Sequence, residues 1–340
     1  MQMHEIQKIV QTAAGFPPAA FSIHLRQPLE NQSNRLYDAW LSDRHWIVKE
    51  FLKEDELVDA PRREFQALER LLPLDLAPRP IFFDPSLGPV VIYEYLEGEM
   101  WDRQQPSQAD LSQLAAAWLQ IHSVQVDWFS RGSERELSDI ENQFLGVLQT
   151  YVAWTAGTFP PARKLAERCL ELFDQRRRVV PDLARLKPVY RFCRSDPRFA
   201  NVIRRPGGRL GFVDWEDSGL RDPARELADL IMHPNQEDLL AWEGWQPFIR
   251  AYLGPLRHDD PHLGDRMHLY LAIFPFFWLT GLMNQGMKRS AGGKLGGWQV
   301  NGLPANLRLR RYLARALAWP EMDFSAQLRA LAAERFFPGE

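Results

Sequence analysis

Three oxygen-bearing side chains stand where an apolar core would not want them. Asp196 and Asn201 are five residues apart in Arg194-Ser195-Asp196-Pro197-Arg198-Phe199-Ala200-Asn201, and Asp214 comes thirteen residues after Asn201. Asp214 follows the apolar run Leu210–Val213, and the whole stretch Val189–Leu230 reads as a hairpin. Its strands are the run before Arg204 and Arg209–Val213, joined by the turn Pro206-Gly207-Gly208. A hairpin with Asp and Asn at its mouth and a further Asp at its exit converges carboxylate and amide oxygens on one spot. Such a donor set suits a hard divalent cation carrying a phosphate ester, with few protein ligands and room for water. Taken alone, an Asp–Asn pair in a loop is as readily a turn or a cap.

Upstream elements supply a second pair of charges. Phe21–Leu29, Arg35–Ser42 and His45–Leu52 are short strand candidates, and Lys49 lies in the strand-like run Trp46–Phe51. Pro61–Leu72 reads as a helix with Pro61 near its first position, where the missing N–H does no harm. Phe65, Leu68, Leu71 and Leu72 define its apolar arc; Glu64 falls inside the arc and Glu69 outside it. A carboxylate facing a core needs a partner, and Lys49, fifteen residues upstream, is the natural one. Ile81–Phe83 and Val90–Tyr95 form a second strand pair, followed by Glu94-Tyr95-Leu96-Glu97-Gly98, where Gly98 gives a flexible exit.

Beyond Gly98 the chain turns helical. Ser107 and Asp110 form a capping box for a helix over Ser107–Val124, with Leu111, Leu114, Trp118 and Ile121 at helical spacing and His122 as a packed residue near its end. Glu141–Val180 holds one or two helices, and the Arg176-Arg177-Arg178 cluster reads as a solvated face. Further helices are expected at Pro223–His233, Leu239–Tyr252, Leu263–Gly286, Leu307–Leu317 and Phe324–Glu334. The apolar run Leu269–Met283 is short for a membrane span and contains Pro275, so it reads as a buried helix. The helical part is rich in aromatics (Trp242, Trp245, Phe248, Tyr252, Tyr270, Phe276, Phe277, Trp278, Trp298) and in acids (Glu237, Asp238, Glu243, Asp259, Asp260, Asp265). Aromatics in a wall would suit a quaternary cation, several acids a polyamine, and most of the aromatics read as core. Ser290–Gly297 is a Gly-rich loop, either a lid or a plain connection.

At 340 residues the chain is long enough for two lobes. A net charge of −3 gives no electrostatic case for nucleic acid. Cys169 and Cys193 support neither a disulfide framework nor a metal knot and fit a reducing, cytoplasmic setting. Met1–Gln11 shows no apolar export core. No membrane partner is expected.

Asp196-x-x-x-x-Asn201, then Asp214-Trp215-Glu216, then Asp222-Pro223-x-x-Glu226-Leu227-Ala228 resembles the aminoglycoside phosphotransferase and choline kinase family, protein-kinase-like enzymes that phosphorylate small molecules. The resemblance implies an α+β, protein-kinase-like two-lobed fold, with a nucleotide-binding lobe at 1–97 and a catalytic, acceptor-binding lobe at 98–340. It implies Asp196 as catalytic base, Asn201 and Asp214 as magnesium ligands, and Lys49, held by Glu64, on the phosphates of ATP or GTP. Ser33 and Asn34 match the end of its nucleotide-covering loop, although the glycines of that loop are missing and a plain hairpin turn explains the segment equally well. Main-chain groups of Glu94 and Leu96 would meet the adenine edge, and Asp222 would brace the catalytic loop. Glu216 would either add to the metal site or brace the loop. The acceptor would be a small hydroxylated molecule: aminoglycoside-like, choline-like or an amino alcohol. Asp222-Pro223 follows Asp214 by only eight residues, which leaves no peptide-docking segment and disfavours a protein substrate.

One departure bears on activity. The family has His and then a small residue before the base; here they are Arg194 and Ser195. Arg194 would pair with Asp214 or Asp222 and hold the loop, or compete with magnesium. The alternative is therefore a nucleotide-binding pseudoenzyme with the same fold.

Overall fold

The structure is a computed structural model that describes residues 1–15, 21–26, 34–54, 56–101, 104–130, 137–155, 160–179, 186–236, 239–292, 299–300 and 303–317. Ser33, Glu237, Asp238, the Gly-rich stretch from 293 onward, Trp298, the side chains of Arg176–Arg178 and the helix expected at Phe324–Glu334 lie outside the described residues. Two compact units emerge. The first takes in Met1–Ser133, Tyr190–Glu226 and Asp238–Pro255; the second takes in Glu134–Val189, Leu227–Glu237 and Leu256–Glu340.

The first unit opens with helix α1 (Met3–Ala14), which was not anticipated. Its signal is a stripe of Ile6, Ile9 and Val10 at helical spacing, and Gly15 closes it in the left-handed conformation at φ 68°. Strands β1 (Phe21–Leu25), β2 (Asn34–Leu41), β3 (Arg44–Phe51), β4 (Pro80–Phe83) and β5 (Val90–Glu94) form an antiparallel sheet in the order β1-β2-β3-β5-β4. Tyr37, Ala39, Trp46, Val48 and Ile92 pack in one cluster with the α1 stripe. Side chains alternate along a strand, so Lys49, next to Val48, leaves on the opposite face.

Helix α2 (Asp59–Leu71) buries Ala60, Glu64, Ala67, Leu68 and Leu71. Glu64 sits mid-stripe, while Phe65 moves to its edge against Phe83 and Leu72 drops out into a short turn, 48% exposed. Strand β6 (Glu99–Met100) pairs with β8 (Val202–Arg204), which pairs with β9 (Leu210–Phe212). Gly98 permits this contact: at φ 140°, an added Cβ would sit 2.4 Å from the Arg204 carbonyl. Helix α3 (Gln108–His122) carries the capping box, with Asp110 N–H on Ser107 Oγ at 3.2 Å and Ser107 N–H on Asp110 Oδ2 at 2.8 Å. Strand β7 (Arg191–Cys193) pairs with β10 (Gly219–Arg221).

The remaining helices are α4 (Leu137–Thr155), α5 (Pro160–Val179), α6 (Pro223–Met232), α7 (Trp242–Leu256), α8 (Leu263–Ala291) and α9 (Ala305–Leu317). In the second unit Leu148, Tyr151, Phe173, Phe276, Leu279 and Leu309 belong to one buried cluster built from α4, α5, α8 and α9. Helix α8 runs unbroken through Pro275 for 29 residues, longer than the apolar run in it suggests. By length and composition it reaches what a membrane span needs, yet 61% of its most apolar window is buried inside the protein. That is the pattern of a core helix.

Candidate active site

Every described residue of the site belongs to the first unit. The loop from Arg194 to Asn201 enters from β7 and ends in a short turn, Phe199–Asn201, that buries Asn201. Phe199 stacks on Trp101 at 4.6 Å between ring centroids and tilts against Trp245 at 5.9 Å. The hairpin β8–β9 brings the chain back, and Val213 N–H donates to the Asn201 carbonyl at 3.0 Å. Asp214 then turns left-handed at φ 67°, which swings its carboxylate round to the loop. Ser195 is likewise left-handed, at φ 68°; a small residue suits that conformation.

The three oxygen-bearing groups do converge. Asn201 Nδ2 donates to Asp196 Oδ2 at 3.2 Å and to Asp214 Oδ2 at 3.4 Å. From the sheet, Lys49 Nζ reaches Glu64 Oε2 at 2.5 Å, Asp214 Oδ1 at 2.6 Å and Glu216 Oε2 at 3.0 Å. Asn34 Nδ2 donates to the same Glu216 oxygen at 2.5 Å, and Arg63 Nε donates to the Glu216 carbonyl at 2.8 Å. Glu216 thus both joins the charge cluster and ties the segment after Asp214 to β2 and α2.

Behind the loop lies a buried polar wall. Arg194 is 1% exposed. Its Nη2 donates to the Val213 carbonyl at 2.9 Å and the Asn201 carbonyl at 3.4 Å, and its guanidinium lies over the rings of Phe212 and Trp215. Arg194 therefore bridges the backbone beside both Asn201 and Asp214. Glu226 Oε1 accepts the backbone N–H groups of Arg194 and Ser195 at 2.6 and 2.7 Å. Its Oε2 meets His122 Nε2 at 2.7 Å, and His122 Nδ1 meets the Tyr252 hydroxyl. An ionised carboxylate only accepts, so the ring carries a proton on Nε2. Glu226 is the carboxylate that holds these two loop N–H groups, and Asp222 Oδ1 accepts from the Ala224 N–H at 3.0 Å at the start of α6.

Three carboxylates crowd one ammonium, and the protonation states follow. Burial works against charge on Lys49, but Asp214, Glu64 and Glu216 outweigh it and hold its pKa well above the ordinary value. Burial lifts Glu64 to about 7 against the pull of Lys49, and the like charges of Asp214 and Glu216 add to the rise. Burial would raise Asp214 too, yet Lys49 and Arg198 hold it down at about 2. Asp196 moves the other way: its burial outweighs Arg198 and raises its pKa. A carboxylate shifted toward neutrality is a better proton acceptor than an ordinary Asp, whereas the depressed Asp214 stays an anion.

This donor set fits a divalent metal. Asp214 and the carboxamide of Asn201 are hard oxygen ligands, and a carboxylate oxygen from each of Glu64, Asp214 and Glu216 lies within 4.8 Å of the others. The negative charge exceeds what Lys49 neutralises.

The remaining expected residues are placed as follows. Glu94 N–H donates to the Arg79 carbonyl at 2.9 Å, within the sheet, and the Leu96 side chain lies where a Cβ on Gly211 would be, 2.5 Å away. Trp245, Phe248, Tyr252, Tyr270 and Phe276 are buried, Asp260 pairs with buried Arg266 at 2.6 Å, and Trp278 donates to Asp229 at 3.2 Å. Sequence reasoning passed over Arg198, whose Nη2 is 2.6 Å from Asp196 Oδ2 and 3.3 Å from Asp214 Oδ2. A loop Arg is solvated by default, so nothing in the sequence marked it.

A small antiparallel sheet with one lysine on it, a loop carrying Asp and Asn, and a hairpin leading to a second Asp define the protein-kinase-like fold. The profile of the phosphotransferase enzyme family matches residues 24–259, so the chain belongs to that family, and it is a kinase-type phosphotransferase. Among solved structures it is similar to choline kinase LicA from Streptococcus pneumoniae, at 19% identity over 92% of this chain and 99% of that one, with a TM-score of 0.60. Choline kinase from Cryptosporidium parvum matches at 16% identity, 92% and 95% coverage and a TM-score of 0.63. The streptomycin–ATP–APH(2")-IIa ternary complex matches at 15% identity, 93% and 96% coverage and a TM-score of 0.56. No curated protein sequence matches the chain.

Proposed function

We propose that this enzyme transfers the γ-phosphoryl group of ATP or GTP to a hydroxyl of a small molecule, with Asp196 as base. The observation that carries the reading is the meeting of Asp196, Asn201 and Asp214 at hydrogen-bond distance, with Lys49 and Glu64 packed behind Asp214. Asp196, its pKa raised, orients the acceptor hydroxyl and takes its proton. Lys49, fixed by Glu64, places the α and β phosphates. Asn201 and Asp214 would hold magnesium, which when bound neutralises charge on the transferring phosphoryl group. By resemblance Ser33, Asn34 and the main chain at Glu94 and Leu96 would lie on the nucleotide side, with the lobe boundary between Glu97 and Gly98; the bond Asn34 makes in the structure is to Glu216. Most of the rate comes from positioning and charge neutralisation.

The acceptor class is an aminoglycoside, a choline-like amine or an amino alcohol, as the similar structures of choline kinases and an aminoglycoside phosphotransferase suggest. Two buried thiols, Cys169 and Cys193, fit a reducing cytoplasm. A pseudoenzyme would rest on Arg194. That side chain forms no ion pair with Asp214 or Asp222 among the described contacts and spans two carbonyls instead, which favours a held, working loop. The test is turnover of an acceptor panel by wild type and Asp196→Asn, with nucleotide binding followed alongside. Loss of turnover with binding intact supports the reading; equal turnover in both removes Asp196 from the chemistry.

A further inference from the structure

We propose that Arg198 is a displaceable counter-ion: it bridges Asp196 and Asp214 in the free enzyme, and its guanidinium passes to the transferring phosphoryl oxygens when metal-bound nucleotide enters. The inference rests on the phosphotransferase reading above and concerns a residue that reading leaves without a part.

The geometry is specific about which atoms are taken. Arg198 Nη2 lies 2.6 Å from Asp196 Oδ2 and 3.3 Å from Asp214 Oδ2, the same two oxygens that Asn201 Nδ2 faces. Lys49 holds the other oxygen of Asp214, Oδ1. A guanidinium on Asp196 Oδ2 lowers that carboxylate's affinity for a proton, and one beside Asp214 Oδ2 opposes a second cation there. Departure of Arg198 from those oxygens therefore frees both residues to act.

The structure also says which cation is able to leave. Arg194 is buried behind the hairpin at 1% exposure, whereas the Arg198 side chain is 34% exposed. The backbone under Arg198 is anchored, because Phe199 is stacked on Trp101 and packed on Trp245 and Pro197 has a fixed φ. Motion is therefore confined to the side chain, whose reach keeps the charge at the mouth of the site. An arginine fork suits the geometry of phosphoryl oxygens.

The test uses Mn²⁺ alone as probe, titrated by electron paramagnetic resonance into wild type, Arg198→Gln, Arg198→Lys and Arg198→Gln/Asp214→Asn, with turnover measured separately. Removing the competing charge should tighten Mn²⁺ binding about tenfold in Arg198→Gln, and Asp214→Asn should abolish the gain. Turnover should fall about 10²-fold in Arg198→Gln, as for loss of one preorganised donor, with Arg198→Lys between it and wild type in both readouts. Should Arg198→Gln lose tertiary structure by near-ultraviolet dichroism, Arg198→Lys alone decides. Equal or weaker Mn²⁺ binding in both variants would mean that Arg198 holds the carboxylates in place, and the proposal fails while the phosphotransferase reading stands. Mn²⁺ binding indifferent to Asp214→Asn, together with no turnover in wild type, would sink both.

Discussion

The wall behind the Arg194–Asn201 loop and the face in front of it are both built from charged side chains and behave as opposites. Behind, Arg194, Glu226 and His122 are 1 to 3% exposed and bonded to backbone groups or to each other. In front, Asp196, Arg198 and Asp214 are a quarter to a third exposed and bonded to one another and to Asn201 through side chains. A buried charge tied to carbonyls and N–H groups has no alternative partner and so fixes a backbone. A charge at the mouth exchanges its partner for a ligand at small cost. Rigid support and exchangeable chemistry are thus separated by a single turn of chain.

The comparison breaks most visibly at Asp196. Asp196→Asn should lower kcat by about 10²–10⁴-fold, with nucleotide-induced thermal stabilisation of about 2.7 kcal/mol at 100 times Kd retained. A parallel loss of stabilisation would mean that the front face is structural as well. Removing Glu226 should do the reverse. Glu226→Ala strands two N–H groups and His122, at a cost of about 3–5 kcal/mol in stability, read by chemical denaturation. Glu226→Gln keeps an acceptor for the N–H groups and should lose less. Equal losses in both would show that the charge, not the acceptor, holds the loop.

The pH profile sharpens the same division. Asp214, at about 2, and Glu226 have folded pKa values below their ordinary 3.8 and 4.5. Each therefore contributes stability that is present above its unfolded pKa and lost as pH falls through the folded one. Glu64, raised to about 7 by burial, has the opposite sign: its contribution is present below about 4.5 and lost as pH rises through 7. The ligand-free midpoint should peak between these limbs, and Glu64→Gln should flatten the rise-side limb alone. Scanning calorimetry from pH 2 to 8 decides; an unchanged limb would mean that Lys49 keeps Glu64 ionised.

How much of this was legible follows from range. The hairpin, the Lys49–Glu64 proximity and the capping box at Ser107 rest on local spacing, and spacing is what a sequence displays. The pairing of β7 with β10 joins three-residue strands with no periodicity of their own, and it places Glu226 under the loop. Asp222 and Glu226 are both acids at the start of α6, and nothing in the sequence says that Glu226 is the one that accepts the Arg194 and Ser195 N–H groups. Arg198 is intelligible only once two carboxylates are known to meet at its tip. Helix α1 is readable from the helical spacing of Ile6, Ile9 and Val10.

Arg194 marks the boundary between the two faces. Arg194→Met keeps length and apolar contact with Phe212 and Trp215 but removes the donor to the Val213 and Asn201 carbonyls. Taking the donor from buried carbonyls costs about 1–3 kcal/mol, and losing support beside the two proposed magnesium ligands typically costs about 10–100-fold in metal affinity or rate. The expected signature is therefore a raised magnesium requirement beyond what a modest fall in the denaturation midpoint accounts for. Arg194→His, which restores the family residue, should recover part of the loss. A fall in midpoint with unchanged magnesium dependence would make Arg194 a packing residue.

The smallest expected effect separates two accounts of Asn34. By resemblance it covers the nucleotide phosphates; in the structure its Nδ2 donates to Glu216, at the far end of the Asp214 segment. A hydrogen bond to a charged acceptor contributes about 1.5–3 kcal/mol at most, and less when water can replace the donor. Asn34→Ala should therefore lower stability by about 1 kcal/mol and leave the nucleotide KM within about threefold, because Lys49 still holds Glu216 at 3.0 Å. A KM rise of tenfold or more with no stability change would transfer Asn34 from the brace to the nucleotide, and with it the start of β2 from the supporting wall to the working face.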